Sequence, residues 1–366
     1  MTEPRTLSRG GHASHAGRCL IGLPSSQVEV DPSRIAVIFY CMGTLDILSV
    51  LDSQTKEHER ETWRDWLWEQ QISGSYGAGF RPSPFMTPED FKGEPSEYET
   101  GHLVMTYTAL LCLSMLRDDF SKLDRSGILR LLRSCQQEDG SFTASPNGGE
   151  SDLRMTYCAF VISSLLDDWS GMDLDHAVAY IYKCYSYEGG YGQAPFGEAV
   201  GGTTYCAIAS LYLSPDTLKF PRASRLAGAE RARTIRWLVQ NQSGSGGFSG
   251  RTNKLADACY CFWCGAALAI LGHGDLVNER AMADFLANCQ FKFGGLAKAP
   301  GERPDPYHTY LSLAILAILP SDHGDDETWK LTRLDPLWNA TESTAQWARE
   351  HIPAGQTSRV GAGGSG

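Results

Sequence analysis

The chain has 366 residues, 42% of them hydrophobic and 20% charged, with a formal net charge of −11. This balance fits a globular protein with a large core and excludes a disordered chain. The acidic surplus argues against a nucleic-acid binder, which needs a basic surface. No apolar run reaches the roughly 20 residues of a membrane span.

Residues 1–18 have no apolar stretch after their basic residues, as a secretory signal would require, and read as a disordered tail. A cytoplasmic location is the expectation. Residues 19–352 read as a single domain built on two alternating signals. One is a tyrosine opening an apolar helix: "VIFYCMGTLDIL" at Tyr40, "MTYTALLCL" at Tyr107, "MTYCAFVISSL" at Tyr157, "TTYCAIASLYL" at Tyr205, "ACYCFWCGAAL" at Tyr260 and "YHTYLSLAIL" at Tyr310. From Tyr107 onward the spacings are 50, 48, 55 and 50 residues. The other is a mixed helix ending in a glycine turn: "EQQISGSYGAGF" at 69–80, "CQQEDGSF" at 135–142, "YSYEGGYG" at 185–192, "NQSGSGGF" at 241–248 and "CQFKFGGL" at 289–296. "SDHGDDETWK" at 321–330 reads as a solvated acidic loop, and 353–366 as a flexible tail. Eleven cysteines, mostly inside apolar helix text, indicate buried reduced thiols and not a disulfide framework.

The tyrosine helices are apolar nearly all round and belong inside; the helices before each turn are amphipathic and belong outside. No polar capping repeats are evident for an open stack. About six such hairpins are therefore expected to close into an all-α fold, an α/α toroid. Taken singly, Tyr107 and Tyr310 read as core residues.

In "RTNKLADACYCFW" at 251–263, two bases precede an acid and a cysteine at the mouth of one helix. Aligning Tyr260 with Tyr310 sets His308 between Asp257 and Cys259 in register. Carboxylate, thiolate and imidazole are zinc-type ligands, and three protein ligands leave a fourth position open. Asp257 and Cys259 stand about 200° apart on a helix and share a metal only at its first turn or before it. The alternative is an N-cap at Asp257 and a buried thiol at Cys259. Arg251, Lys254 and, in the next unit, Lys298 add positive charge beside helix N-termini, an arrangement suited to a phosphorylated apolar substrate or to plain solvated loops. Tyr157, Tyr205, Phe262 and Trp263 fit either an apolar tunnel or core packing.

"GHLVMTYTALLCL", "QQEDGSF", "SDLRMTYC", "WSGMD", "GGTTYC" and "RTNKLADACYCFW" with the later "HTY" resemble the β subunit of CaaX protein prenyltransferases over roughly residues 30–320. The resemblance implies transfer of an isoprenyl group from its diphosphate to the cysteine of a C-terminal CaaX motif, on proteins such as small GTPases. It implies an α-subunit partner in a heterodimer that is not an integral membrane protein. Asp257, Cys259 and His308 match the zinc ligands; Arg251, Lys254 and Tyr260 match the diphosphate site. Arg154 matches a residue near the CaaX carboxyl end, Tyr157 and Trp263 the isoprenoid wall, and Gly201 and Gly202 of "GGTTYC" join the substrate-binding set.

Three positions separate the relatives. Lys298 stands where farnesyltransferases carry a magnesium-binding aspartate, which implies that magnesium is not required. Ala36 replaces a tryptophan at the tunnel floor, leaving room for a C20 chain. Both favour geranylgeranyl diphosphate and the type I geranylgeranyltransferase β subunit over farnesyltransferase. Tyr307 looks more like the farnesyl enzymes. Val200 stands where the family has a diphosphate-contacting histidine, so one donor is missing. A non-catalytic lipid- or protein-binding toroid is the remaining alternative. A terpene cyclase is disfavoured because "GMDLDHAV" lacks the DxDD acid motif.

Overall fold

The computed structural model describes residues 6–23, 25–84, 99–146, 148–217, 219–221, 225–322 and 326–353. In chain order the hairpins are α1 (Arg9–Ile21) with α2 (Arg34–Ile47), then, after the short α3 (Leu51–Gln54), α4 (Glu57–Glu69) with α5 (Leu103–Met115). There follow α6 (Arg125–Cys135) with α7 (Leu153–Leu166), α8 (Leu174–Lys183) with α9 (Gly201–Leu213), α10 (Gly228–Gln240) with α11 (Ala258–Ile270), and α12 (Glu279–Asn288) with α13 (Pro306–Ile318). α14 (Glu342–His351) closes the described chain.

The second helix of each hairpin faces inward. Every residue of α5 except Val104 is buried, whereas α6 buries one stripe, Ile128, Leu131, Leu132 and Cys135. The inner helices touch in the order α2, α5, α7, α9, α11, α13 and back to α2, so the ring is closed.

The turn signal has a repeated physical meaning. Gln71, Gln136, Gln242 and Gln290 each grip the approach to the next outer helix, accepting one backbone N–H and donating to one carbonyl. The glycine that follows lies against that helix: at Gly140 and Gly246, both with positive φ, a Cβ would come within 2.1 Å of the His176 carbonyl oxygen and 2.0 Å of that of Ala281.

The last turn corrects one expectation. Gln290 grips Thr6 and Ser8, and a Cβ on Gly294 would come within 1.8 Å of the Gly11 carbonyl oxygen. Residues expected as a disordered tail are therefore the sixth outer helix, α1, which closes the ring and buries His12, Ala13 and Ala16. Its small, polar composition hid it, because it packs through little apolar surface. The flexible tail expected over 353–366 lies outside the described residues beyond Pro353.

Among the described residues, four antiparallel two-stranded ribbons accompany the helices: β1 (Gln71–Gly74) with β2 (Gly77–Phe80), β3 (Thr143–Ser145) with β4 (Gly148–Ser151), β5 (Phe248–Ser249) with β6 (Ala256–Asp257), and β7 (Leu334–Asp335) with β8 (Ala340–Thr341). The connection between β7 and β8 plugs the ring. Its four successive carbonyls accept hydrogen bonds from inner-helix tyrosines: Pro336 from Tyr205 (2.7 Å), Leu337 from Tyr157 (2.9 Å), Trp338 from Tyr107 (2.9 Å) and Asn339 from Tyr310 (2.6 Å). Phe39 and Phe262 complete the belt, Phe39 against Tyr107 and Tyr310, Phe262 against Tyr205. The neighbouring segment 321–330 is not wholly solvated, since Trp329 joins the core.

The belt also corrects the repeat register. Tyr107, Tyr157, Tyr205 and Tyr310 stand five residues after the N-caps His102, Asp152, Val200 and Asp305. Five residues after Asp257, the N-cap of α11, stands Phe262 and not Tyr260. The structural partner of His308 is thus Tyr260, and that of Asp257 is Asp305. Cys261 takes the slot where Thr106, Thr204 and Thr309 accept a backbone N–H from the preceding turn: its thiol interacts with the backbone of Phe248.

Candidate active site

The mouth of the ring is built from the first turns of neighbouring inner helices. β5 and β6 pair Phe248 with Asp257, which sets Asp257 at the N-cap of α11. Its Oδ1 accepts from the Cys259 N–H at 3.0 Å and lies 3.4 Å from His308 Nε2. The N-cap and the ligand readings of Asp257 are therefore compatible. Asp305 caps α13 in the same way, accepting from the His308 N–H at 2.8 Å, while its other oxygen lies 2.6 Å from His308 Nδ1.

Among the described residues, Asp257, Cys259 and His308 form a set whose ligand atoms all lie within 4.8 Å of one another. Burial pushes the Cys259 thiol up to about 11, against the pull of His308. Burial alone would lower His308, but its hydrogen bonds to Asp257, Asp305 and Cys259 outweigh that and raise it to about 11. Asp257 is held below the usual carboxylate range: burial acts upward, and the bonds from His308 and Cys259 prevail. One oxygen, one sulfur and one nitrogen in this spacing fit zinc, and the Asp305–His308 contact is the outer carboxylate that a metal-binding imidazole usually has.

Of the expected bases, Lys298 adjoins this set. Lys298 Nζ lies 4.0 Å from Asp257 Oδ2, and the backbone carbonyl of Lys298 accepts from the Ala258 N–H at 2.8 Å. Arg251 is half-exposed and pairs with Glu198 at 2.9 Å; Lys254 is exposed on the same loop. Tyr260 packs where a side chain on Gly250 or Gly201 would collide with its ring, and burial lifts its hydroxyl to about 12, so it remains a donor. Gly202 lies beside Trp263, whose Nε1 donates to the Tyr307 hydroxyl at 3.0 Å. Tyr307 in turn packs edge-on against Tyr40 at 5.4 Å. Ala36 is buried on α2 three residues before Phe39.

Two expected residues sit apart from the metal set. Arg154 is exposed at the mouth of α7, gripped by Asp152, which also accepts from Gln193 at 2.7 Å. Tyr157 is committed to the plug, its hydroxyl bonded to Leu337. Val200 caps α9 without a side-chain acceptor. Sequence reading missed Asp305 and Glu198. An aspartate three residues before a histidine at a helix start was the available signal for the first; nothing local marked the second.

No helix among the described residues is long and apolar enough to cross a membrane. Residues 7–340 match the family profile for the prenyltransferase alpha-alpha toroid domain. The chain is 42% identical over 310 residues to a geranylgeranyl transferase type-1 subunit beta of Arabidopsis thaliana, covering 81% of each chain. It is 38% identical over 319 residues to the corresponding Dictyostelium discoideum subunit, covering 82% of this chain and 88% of that one. A solved structure of Candida albicans protein geranylgeranyltransferase-I complexed with GGPP superposes with a TM-score of 0.82 at 28% identity, over 95% of this chain and 99% of that one. The chain thus belongs to the prenyltransferase α/α toroid family, as a member similar to the β subunits of type I geranylgeranyltransferases.

Proposed function

We propose that the chain is the catalytic β subunit of a heterodimeric, zinc-dependent protein geranylgeranyltransferase that alkylates the cysteine of a C-terminal CaaX motif. The observation that carries this reading is the Asp257–Cys259–His308 set with Lys298 4.0 Å from Asp257, at the mouth of an aromatic-lined ring. A zinc ion bound there supplies a Lewis acid that favours the thiolate form of the substrate cysteine. Asp257, Cys259 and His308 would hold it, with Asp305 fixing the His308 ring.

The acceptor sulfur forms a bond to C1 of the isoprenoid as the C1–O bond to diphosphate breaks, and the thiol proton passes to solvent. Negative charge grows on the departing diphosphate. Arg251, Lys254 and Lys298 meet that charge, Tyr260 donates a hydrogen bond to it, and the N-terminus of α11 adds its dipole. Val200 contributes no side-chain donor to that anion. Trp263 and Tyr307 wall the isoprenoid, Gly201 and Gly202 leave it space, Ala36 leaves room for four isoprene units, and Arg154 serves the acceptor's carboxyl end.

The test is co-expression with an α subunit, followed by transfer assays pairing CaaL and CaaS peptides with C15 and C20 diphosphates, with and without magnesium. Preference for C20 without magnesium is expected. Preference for C15 or strict magnesium dependence would favour the farnesyl reading, for which Tyr307 is the supporting residue. Bound zinc with no transfer would favour a binding scaffold.

A further inference from the structure

The anion site has an acidic neighbour that its charge balance does not require. Glu198 lies two residues before Val200, on the loop entering α9, and its Oε2 accepts from Arg251 at 2.9 Å. Glu188, on the turn before that loop, accepts from the Ala199 N–H at 3.4 Å and from the Thr252 hydroxyl at 3.3 Å. The Gly201 N–H donates to the Gly250 carbonyl at 2.9 Å. Two carboxylates and a backbone bond thus tie the loop of one repeat to the Arg251 loop of the next.

As an ion pair this contact stabilises the fold little, because both side chains are close to half exposed, Arg251 at 42% and Glu198 at 48%. Its effect lies in geometry. Arg251 has a long, flexible side chain, and a guanidinium binds phosphate well only when its planar fork is held in place. Glu198 engages one terminal nitrogen, Nη1, leaving the rest of the fork to an anion.

Resting on the prenyl-transfer reading, we propose that Glu198 is a positioning residue that acts through Arg251 to orient it toward the diphosphate. At this site the orientation of Arg251 matters more because Val200 offers no donor. The alternative, a carboxylate that competes with diphosphate for Arg251, predicts the opposite sign.

The experiment uses the complete heterodimer and inorganic pyrophosphate as an inhibitory probe, beside KM for geranylgeranyl diphosphate and for a CaaX peptide. Glu198→Ala should weaken pyrophosphate inhibition and raise the diphosphate KM by roughly 3–10-fold, leaving the peptide KM unchanged. Glu198→Gln, which keeps an acceptor without charge, should fall between. In an Arg251→Ala background, Glu198→Ala should add nothing. Unchanged or tighter pyrophosphate binding in Glu198→Ala, or an equal loss without Arg251, overturns the proposal. A wild-type heterodimer that neither turns over geranylgeranyl diphosphate nor responds to pyrophosphate overturns the functional reading itself, and this one with it.

Discussion

Asp305 Oδ2 lies 2.6 Å from His308 Nδ1, while Asp257 stands 3.4 Å from Nε2 at the other side of the ring. One carboxylate belongs to the candidate metal set and the other holds the imidazole of that set. Asp305→Asn keeps an N-cap acceptor for α13 but loses the carboxylate. It should lower zinc affinity by roughly 10–100-fold with little change in folding. Competition for zinc by a chromophoric chelator, read beside thermal stability, checks this. Unchanged zinc affinity would reduce Asp305 to a helix cap.

His12 ties the first repeat to the last. Its Nδ1 accepts from the Gly295 N–H at 3.0 Å, and Nε2 lies 3.0 Å from Gln290 Oε1. Burial, helped by His15 and opposed by Gln290, lowers its pKa from 6.5 to about 4. A proton on Nδ1 would face an N–H that now donates to it. The stability His12 lends is therefore whole above pH 6.5 and lost as pH falls toward 4. About 2 kcal/mol should be gone by pH 5. Hydrogen exchange should show α1 opening more readily at pH 5 than at pH 7.5, and His12→Gln should flatten that dependence.

The tyrosine belt makes a separate stability prediction. Tyr310 is fully buried, and its hydroxyl donates to the Asn339 carbonyl at 2.6 Å. Tyr310→Phe strands that carbonyl and should cost about 1–3 kcal/mol in denaturant unfolding. Loosening of the plug should also speed proteolysis between β7 and β8. A neutral substitution would show that water or backbone relaxation satisfies the carbonyl.

Periodicity made the toroid legible, because each inner helix carries an apolar surface that only a closed ring buries. The candidate metal set was legible for a different reason: helix first turns bring Asp257 and Cys259 together despite their separation on a continuing helix. The register was less so. Tyr260 resembles the other tyrosines in its local text, yet the N-cap at Asp257 places Phe262 in the belt and frees Tyr260 for the mouth. α1 was invisible, since a helix rich in Gly, Ala and His carries no apolar stripe. Its place is set by Gln290 and Gly294, nearly three hundred residues away. Glu198 could not be found from pattern at all, because its partner comes from the neighbouring repeat.

Chain-length choice can be tested on one helix. Val37 and Ile38 line an outer cleft with Trp63 and Trp66, whereas buried Ala36 lies three residues, about one turn, before Phe39 of the aromatic belt. An indole at position 36 would fill the interior beside the belt, and one at position 38 would fill the outer cleft. Ala36→Trp should therefore shift the ratio of kcat/KM for C20 over C15 diphosphate roughly tenfold or more toward C15. Ile38→Trp should leave that ratio where it was. A similar shift from both variants would mean that the helix moved and that Ala36 does not measure chain length. No shift from Ala36→Trp, with the protein folded, would place the end of the isoprenoid elsewhere in the ring.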